Sequence, residues 1–147
     1  MNRRVCALLV EDNPADAELA RDALQDGELP IDLHMVGDGE QALAFVFKEH
    51  SYANAPDPDI VLLDLNLPRL NGREVLSKLK SDEKSKSIPV VILTSSEADE
   101  DVMSSYCLGA NSYVTKPLDL KSFRRILDLL KSYWFVVSKL PHPGKTQ

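Results

Sequence analysis

The chain has 147 residues, of which 44% are hydrophobic and 27% are charged, a balance typical of one globular domain with its own core. Acidic residues outnumber basic residues by 23 to 17, giving a net charge of -6, so we expect neither a nucleic-acid partner nor a polybasic membrane anchor. The apolar run that follows Arg3-Arg4 ends at Glu11-Asp12, too early for a membrane span and without a secretory cleavage site. Cys6 and Cys107 lie in apolar stretches and are interpreted as buried thiols, which predicts a cytoplasmic protein.

Short apolar runs alternate with longer amphipathic segments along the chain. The apolar runs predict strands at residues 5–10, 31–36, 60–63, 90–93 and 112–115. The amphipathic segments predict helices over 14–25, from Asp38 to about Glu49, after Gly72, from Ser96, and from about Asp119 into Trp134. Five successive βα units predict an α/β fold, a doubly wound five-stranded parallel sheet in the order 2-1-3-4-5 with helices on both faces. We place one domain over residues 1–138, with an extended C-terminal helix, and a short tail over 139–147.

Polar side chains follow four of the predicted strands. Glu11 and Asp12 follow strand 1, Asp64 follows strand 3, Thr94 ends strand 4 and Lys116 follows strand 5. Because ligands of open α/β sheets bind at the carboxyl ends of the strands, these residues are predicted to form one site. Three carboxylates at one place repel one another unless a cation lies among them, and Mg²⁺ suits a shallow site of oxygen ligands and waters.

This set of residues is suited to phosphoryl chemistry. A carboxylate can attack phosphorus and form an acyl phosphate, and Asp64, alone after a buried strand, is the best candidate nucleophile. A cation and Lys116 would neutralise the oxygens of the transferred group. The Thr94 hydroxyl would then donate a hydrogen bond to the bound phosphoryl group.

Four stretches of the chain resemble, in order, the motifs of the receiver domain of two-component response regulators: Leu9-Val10-Glu11-Asp12-Asn13, Leu62-Leu63-Asp64-Leu65-Asn66-Leu67-Pro68, Leu93-Thr94-Ser95-Ser96 and Tyr113-Val114-Thr115-Lys116-Pro117. The resemblance covers residues 5–135 and implies the flavodoxin-like receiver fold. It implies that a sensor histidine kinase phosphorylates Asp64, and that Asp12 and Asp64 contact Mg²⁺ directly. It also implies that Asn66 binds the ion through its backbone carbonyl and that Glu11 acts through water.

The same resemblance assigns the residues of a conformational switch. Thr94 matches the switch hydroxyl, Lys116 the phosphate-binding lysine, and Tyr113 the aromatic residue that turns inward when the hydroxyl is drawn to the phosphate. The family also implies a cis peptide bond between Lys116 and Pro117. Such a protein catalyses only its own phosphorylation and dephosphorylation and is not otherwise an enzyme. Since no output domain follows in this sequence, we expect it to signal to a downstream protein through its own surface, mainly helix 4, strand 5 and helix 5.

The last helix carries an apolar stripe at alternating three- and four-residue steps, a spacing of coiled-coil type. Part of this stripe must cover the sheet, but the apolar end of the helix extends beyond the expected body. The sequence therefore predicts a homodimer through Phe123, Leu127, Leu130, Trp134 and Phe135.

A narrower group is also similar to this chain. Ser132-Tyr133-Trp134-Phe135, Ala110-Asn111-Ser112-Tyr113 and the loop over 51–58 resemble the response regulators that accept phosphate from bacterial and cyanobacterial phytochromes. This resemblance implies a phytochrome as the partner kinase.

Two other functions remain as alternatives. A dimeric binding module that needs no phosphorylation would keep the fold and the dimer surface, but it would not need all five site residues. A phosphatase of the haloacid-dehalogenase type also uses an aspartate nucleophile with Mg²⁺. Its nucleophile comes early in the chain in an Asp-x-Asp pair, whereas here Asp64 follows the third strand and Asn66 replaces the second aspartate.

Overall fold

A five-stranded parallel sheet with the strand order β2-β1-β3-β4-β5 lies at the centre of the computed structural model. The structure describes residues 4–141, apart from the side chain of Val137. The strands are β1 (Val5–Val10), β2 (Ile31–Val36), β3 (Ile60–Leu63), β4 (Val90–Thr94) and β5 (Ser112–Thr115). The helices are α1 (Pro14–Gln25), α2 (Gly39–Phe47), α3 (Gly72–Ser81), α4 (Asp99–Cys107) and α5 (Leu120–Leu130). The predicted fold class and strand order are therefore confirmed.

Successive residues of the central strands point into two separate cores. In β1, Leu8 and Val10 face the core that α2 and α3 cover, while Ala7 and Leu9 face the core that α1 and α5 cover. All four side chains are fully buried, as expected for a parallel strand with helices on both faces. Packing on both sides fixes the ends of β1, β3 and β4, from which the site residues emerge.

The chain after α5 continues in a π-helical segment, Lys131–Val137, in which the Ser138 N–H donates to the Tyr133 carbonyl at 2.7 Å. The Lys131 ammonium donates to the carbonyls of Ala23 and Asp26, at 2.8 Å each, and so binds the C-terminal end of α1. Leu140, which we assigned to the tail, is buried in the core between α1 and α5. Residues 142–147 of the predicted tail lie outside the described residues.

Several local expectations are wrong. Helix α2 ends at Phe47 rather than Glu49 because Lys48 adopts a left-handed conformation with φ 58°. Helix α4 begins at Asp99, and its N-cap is Ala98 rather than Ser96. The Cys107 thiol is exposed, since α4 presents it to solvent, whereas Cys6 is buried as predicted. Within residues 4–141 none of the helices has the length and apolar character needed to cross a bilayer.

Candidate functional site

Three carboxylates meet where β1 and β3 end side by side. The Asp64 N–H donates to the Val10 carbonyl at 3.1 Å, which extends the β1–β3 ladder and places Asp64 beside Glu11. Carboxylate oxygens of Glu11, Asp12 and Asp64 all lie within 4.8 Å of one another. Glu11 and Asp64 are buried, whereas Asp12 is exposed. The structure thus brings together the three acidic residues that the sequence assigned to one site.

The Lys116 side chain enters this cluster from the end of β5. Its ammonium donates to the carboxylates of Glu11 at 2.5 Å, Asp64 at 2.9 Å and Asp16 at 3.0 Å. The Lys116–Pro117 peptide bond is trans, so the cis form implied by the family resemblance is wrong, and the lysine reaches the site without it.

Asp16 is a member of the cluster that sequence reasoning missed. It lies in the first turn of α1, where the Asn13 side chain caps the helix by accepting from the Asp16 N–H at 3.1 Å. The sequence offered one signal, because the Asn13-Pro14 pair sets the helix start and so places Asp16 in the first turn of α1, close in the chain to the end of β1.

The pKa values of Glu11 and Lys116 are both raised, but for different reasons. Burial raises the pKa of Glu11 from 4.5 to about 7; the hydrogen bond from Lys116 lowers it and the charge of Asp64 adds to the rise. Burial by itself lowers the pKa of Lys116, but hydrogen bonds to Glu11 and Asp64 outweigh burial and raise it overall. Lys116 therefore stays charged and is the internal counter-ion of the acidic cluster.

The donor set of the cluster fits a hard divalent cation. Glu11, Asp12 and Asp64 each offer a carboxylate oxygen, the ligand type that Mg²⁺ and similar ions prefer. The exposure of Asp12 leaves one side of the cluster open to the waters that Mg²⁺ retains. The exposed Asp12 carboxylate is the most accessible ligand for such an ion, whereas Glu11 and Asp64 are both bonded to Lys116.

Thr94, at the end of β4, carries an unused hydroxyl. The residue is 0% exposed, and its Oγ1 has no hydrogen-bond partner among the described residues. A buried hydroxyl without a partner is unfavourable unless it serves a bound group. Tyr113 on β5 is half-buried, and its hydroxyl donates to the Ser96 carbonyl at 3.0 Å, which ties the ring to the segment that follows Thr94.

The loop from β3 to α3 holds Asp64 through its backbone. The Asn66 N–H donates to Asp64 Oδ1 at 3.1 Å, and the Gly72 N–H donates to the Leu65 carbonyl at 2.9 Å. A Cβ atom at Gly72 would lie 2.3 Å from the Asp64 carbonyl oxygen, so only glycine fits at this helix start. Helix α3 therefore packs directly against the backbone of the candidate nucleophile.

The apolar residues of the last helix that were predicted to form a dimer interface differ in burial. Phe123, Leu127 and Phe135 are buried against the chain's own sheet and α1, so they are core residues and do not fit the predicted dimer surface. Leu130 and Trp134 are only partly buried. They line an apolar groove beside β5 together with Val114, Ile126, Leu129 and Tyr133.

Comparisons with known proteins agree with this geometry. The family model of the response regulator receiver domain matches residues 7–128. Response regulator Rcp1 of Synechocystis sp. is 41% identical over 134 residues, covering 91% of each chain. The probable methanogenesis regulatory protein FilR2 of Methanothrix harundinacea is 38% identical over 137 residues, covering 93% of this chain and 88% of FilR2.

Among solved structures, the phosphorylated cyanobacterial phytochrome response regulator RcpA superposes with a TM-score of 0.92 at 42% identity, covering 95% of this chain and 99% of RcpA. The Mn²⁺-bound form of Rcp1 superposes with a TM-score of 0.91 at 40% identity, covering 93% of this chain and 99% of that structure. The family match over most of the chain, on a sheet whose strand ends gather the expected acids and lysine, places this protein in the response regulator receiver domain family.

Proposed function

We propose that the protein is a phosphoryl-accepting switch in which Asp64 takes a phosphoryl group from the phosphohistidine of a sensor kinase. The environment of Asp64 carries the proposal. Its buried carboxylate has Oδ2 2.9 Å from the Lys116 ammonium, and it lies at the same sheet edge as the Thr94 hydroxyl, which has no partner among the described residues. A purely structural ion pair would explain the lysine but not the unpartnered hydroxyl.

The transfer itself is a single displacement at phosphorus. A carboxylate oxygen of Asp64 bonds to phosphorus, the P–N bond of the phosphohistidine breaks, and its electron pair returns to the imidazole nitrogen. A divalent cation held by Asp12, Asp64 and the Asn66 carbonyl, with Glu11 acting through water, would supply positive charge to the phosphoryl oxygens. Lys116 supplies the protein's own positive charge, and Thr94 donates a hydrogen bond to the phosphoryl group once it is bound.

The signal leaves through the face formed by α4, β5 and α5. Movement of Thr94 toward the phosphoryl group pulls on the segment that includes Ser96, whose carbonyl holds the Tyr113 hydroxyl. The phosphorylated form then favours a different packing of Tyr113, and the populations of the two arrangements shift. A downstream protein would read this face.

The proposed donor is a phytochrome-type histidine kinase. This step rests on similarity to Rcp1 and to RcpA, described as a cyanobacterial phytochrome response regulator. Purified phytochrome kinase labelled with γ-³²P-ATP should transfer label to the chain faster than a histidine kinase of another class does. Equal or slower transfer from the phytochrome would contradict this choice of donor.

We also propose a homodimer. Its interface would use the residues of the apolar stripe on the last helix that are not buried in the core. Leu130, Trp134 and Leu129 line the groove beside β5 that a second copy would cover. Trp134→Glu should convert a dimer to a monomer in sedimentation velocity, whereas Met103→Glu on exposed α4 should not. A monomeric parent protein at micromolar concentration would contradict the dimer.

Intact-mass analysis after incubation with acetyl phosphate tests the central step. We expect one phosphoryl adduct that requires Mg²⁺, is absent in Asp64→Asn, and persists in Asp22→Asn, which removes an exposed carboxylate from α1. An adduct that survives in Asp64→Asn would overturn the assignment. If neither acetyl phosphate nor a kinase produces an adduct, the phosphorylation-independent binding module becomes the better description. Catalytic turnover of phosphate monoesters would instead favour the phosphatase.

A further inference from the structure

A second group of ligand-type side chains lies at the opposite end of the sheet from Asp64. Cys6 on β1 faces Asp32 on edge strand β2 across the ladder, and His34 lies two residues after Asp32 on the same face of β2. The thiol sulfur, a carboxylate oxygen and an imidazole nitrogen all lie within 4.8 Å of one another. Cys6 precedes Glu11 by five residues, about 16 Å of strand at roughly 3.3 Å per residue, so the two clusters are separate.

The His34 imidazole is oriented toward this group but is not satisfied by it. Its Nε2 is shielded from solvent and lies 3.2 Å from Asp32 Oδ2, yet it has no well-aligned hydrogen-bond partner among the described residues. The imidazole ring also contacts Phe45 of α2, with ring centroids 5.1 Å apart at an interplanar angle of 50°. An imidazole nitrogen that is shielded from solvent and makes no well-aligned hydrogen bond is chemically suited to bind a metal ion, since imidazole is a common zinc ligand.

The backbone of Cys6 is held in place from the other side of β1. Its N–H donates to Asp59 Oδ2 at 2.8 Å, and the Asp59 N–H donates to the Cys6 carbonyl at 2.7 Å. Asp59 is itself buried. A buried carboxylate therefore fixes the backbone of the strand segment that carries the thiol.

We propose that Cys6, Asp32 and His34 form a binding site for a transition-metal ion of the Zn²⁺ type. One sulfur, one nitrogen and one oxygen ligand form a mixed set that suits Zn²⁺, whereas Mg²⁺ requires oxygen ligands throughout. Three protein ligands leave a fourth tetrahedral position for water. Asp32 and His34 are about half and one-third exposed on an edge strand, so an ion can enter from solvent. Bound there, it would clamp β2 to β1.

Cobalt titration of the untagged full chain tests the site directly. Mg²⁺ in excess occupies the oxygen cluster around Asp64, and a non-thiol reductant keeps both cysteines reduced. We expect one equivalent of Co²⁺ to bind with a thiolate-to-cobalt charge-transfer absorption in the near ultraviolet, and Zn²⁺ to displace it and abolish the absorption. Absence of this absorption in the parent chain overturns the proposal.

Two variants and two matched controls assign the ligands. Cys6→Ser should abolish the charge-transfer absorption, and His34→Gln should weaken Co²⁺ binding by more than about 100-fold, since even supporting residues commonly contribute about 10–100-fold. Cys107→Ser and His50→Gln, which change the exposed cysteine and an exposed histidine, should leave binding unchanged. Absorption that is lost in Cys107→Ser but kept in Cys6→Ser overturns the site. If Cys6→Ser does not fold, His34→Gln decides, because its ring is partly exposed; unchanged binding in that variant also overturns the site.

Discussion

The part of the sheet that carries Asp64 and the part that carries Tyr113 differ in how deeply they are packed. Every residue of β3 and β4 is buried, and α3 buries Val75, Leu76 and Leu79 beneath it. By contrast, no residue of β5 is fully buried, and α4 buries only Ser105 along its whole length. Regions with few buried side chains change arrangement at a lower free-energy cost than the core does. Strands β3 and β4 with α3 therefore form a rigid frame that carries Asp64 and Thr94, beside a less firmly packed face of α4 and β5.

The charged site joins the two parts, because Lys116, which follows β5, bonds to Glu11 and Asp64 at the ends of the firmly packed strands β1 and β3. Lys116→Met leaves the buried carboxylates of Glu11 and Asp64 without their counter-ion, so we expect the free energy of unfolding to fall by about 3–5 kcal/mol. Urea unfolding measures the loss, and Mg²⁺ should restore part of it by replacing the missing positive charge. Lys84→Met, at an exposed position, should change little. A loss in Lys116→Met no larger than in this control would mean that the carboxylates are not paired as described.

Truncating a buried leucine and an exposed leucine tests how much each side chain contributes to the free energy of unfolding. Leu76 on α3 is 0% exposed, whereas Leu129 on α5 is 61% exposed. Leu76→Ala should lower the free energy of unfolding by about 2–5 kcal/mol because it leaves a cavity. Leu129→Ala should stay within about 0.5 kcal/mol in the monomer. Equal losses, measured by urea unfolding at a concentration where the chain is monomeric, would contradict the contrast between the frame and the face.

Gly72 tests the contact between α3 and the backbone of Asp64. In Gly72→Ala the new methyl group meets the Asp64 carbonyl, so we expect a loss of about 1–3 kcal/mol and slower phosphorylation by acetyl phosphate. Gly37→Ala is the control, because a Cβ at Gly37 has no atom within 4 Å. Unchanged stability and phosphorylation in Gly72→Ala would show that α3 can shift freely, and the frame would then be less rigid than its burial indicates.

Tyr113→Phe should have a smaller effect on stability than the changes at Lys116, Leu76 and Gly72. It removes the hydrogen bond to the Ser96 carbonyl from a half-buried side chain, which contributes about 0.5–1.5 kcal/mol. Its main expected effect is on signalling. When Asp64 is phosphorylated, the amide NMR chemical shifts of α4 and β5 should change less in Tyr113→Phe than in the parent protein. Tyr133→Phe, on an exposed ring, is the matched control. A loss well above 1.5 kcal/mol would mean that this face is packed as firmly as the frame.

Local pattern predicted most of the elements because each depends on near neighbours in the chain. The strands β1 and β3 are continuous apolar runs, and α1 begins at the Asn13-Pro14 pair that predicts it. The errors fall where the backbone leaves the common pattern. Lys48 ends α2 in a left-handed conformation with no glycine to mark it, and α4 begins at Asp99 after Ala98, whose side chain cannot cap the helix.

The sequence could predict those residues of the candidate site that directly follow a strand. The rule that strand ends meet at one edge located Glu11, Asp12, Asp64, Thr94 and Lys116. It could not locate Asp16, which approaches Lys116 from a helix rather than from a strand. The sequence also did not indicate the group formed by Cys6, Asp32 and His34. These residues are far apart in the chain, and only the register of β1 with β2 brings them together.

The order of the strands and helices along the chain, the α/β class and the acids and lysine of the main site could be read from the amino-acid sequence. This was possible because apolar periodicity and residue type act over short stretches of chain. Which residues share a site or a surface depends instead on how the elements pack in three dimensions. This packing moved Phe123, Leu127 and Phe135 from a predicted dimer surface into the core and brought Cys107 to solvent. These outcomes depend on which side of a helix meets the sheet, and that is set by packing between segments distant in the chain.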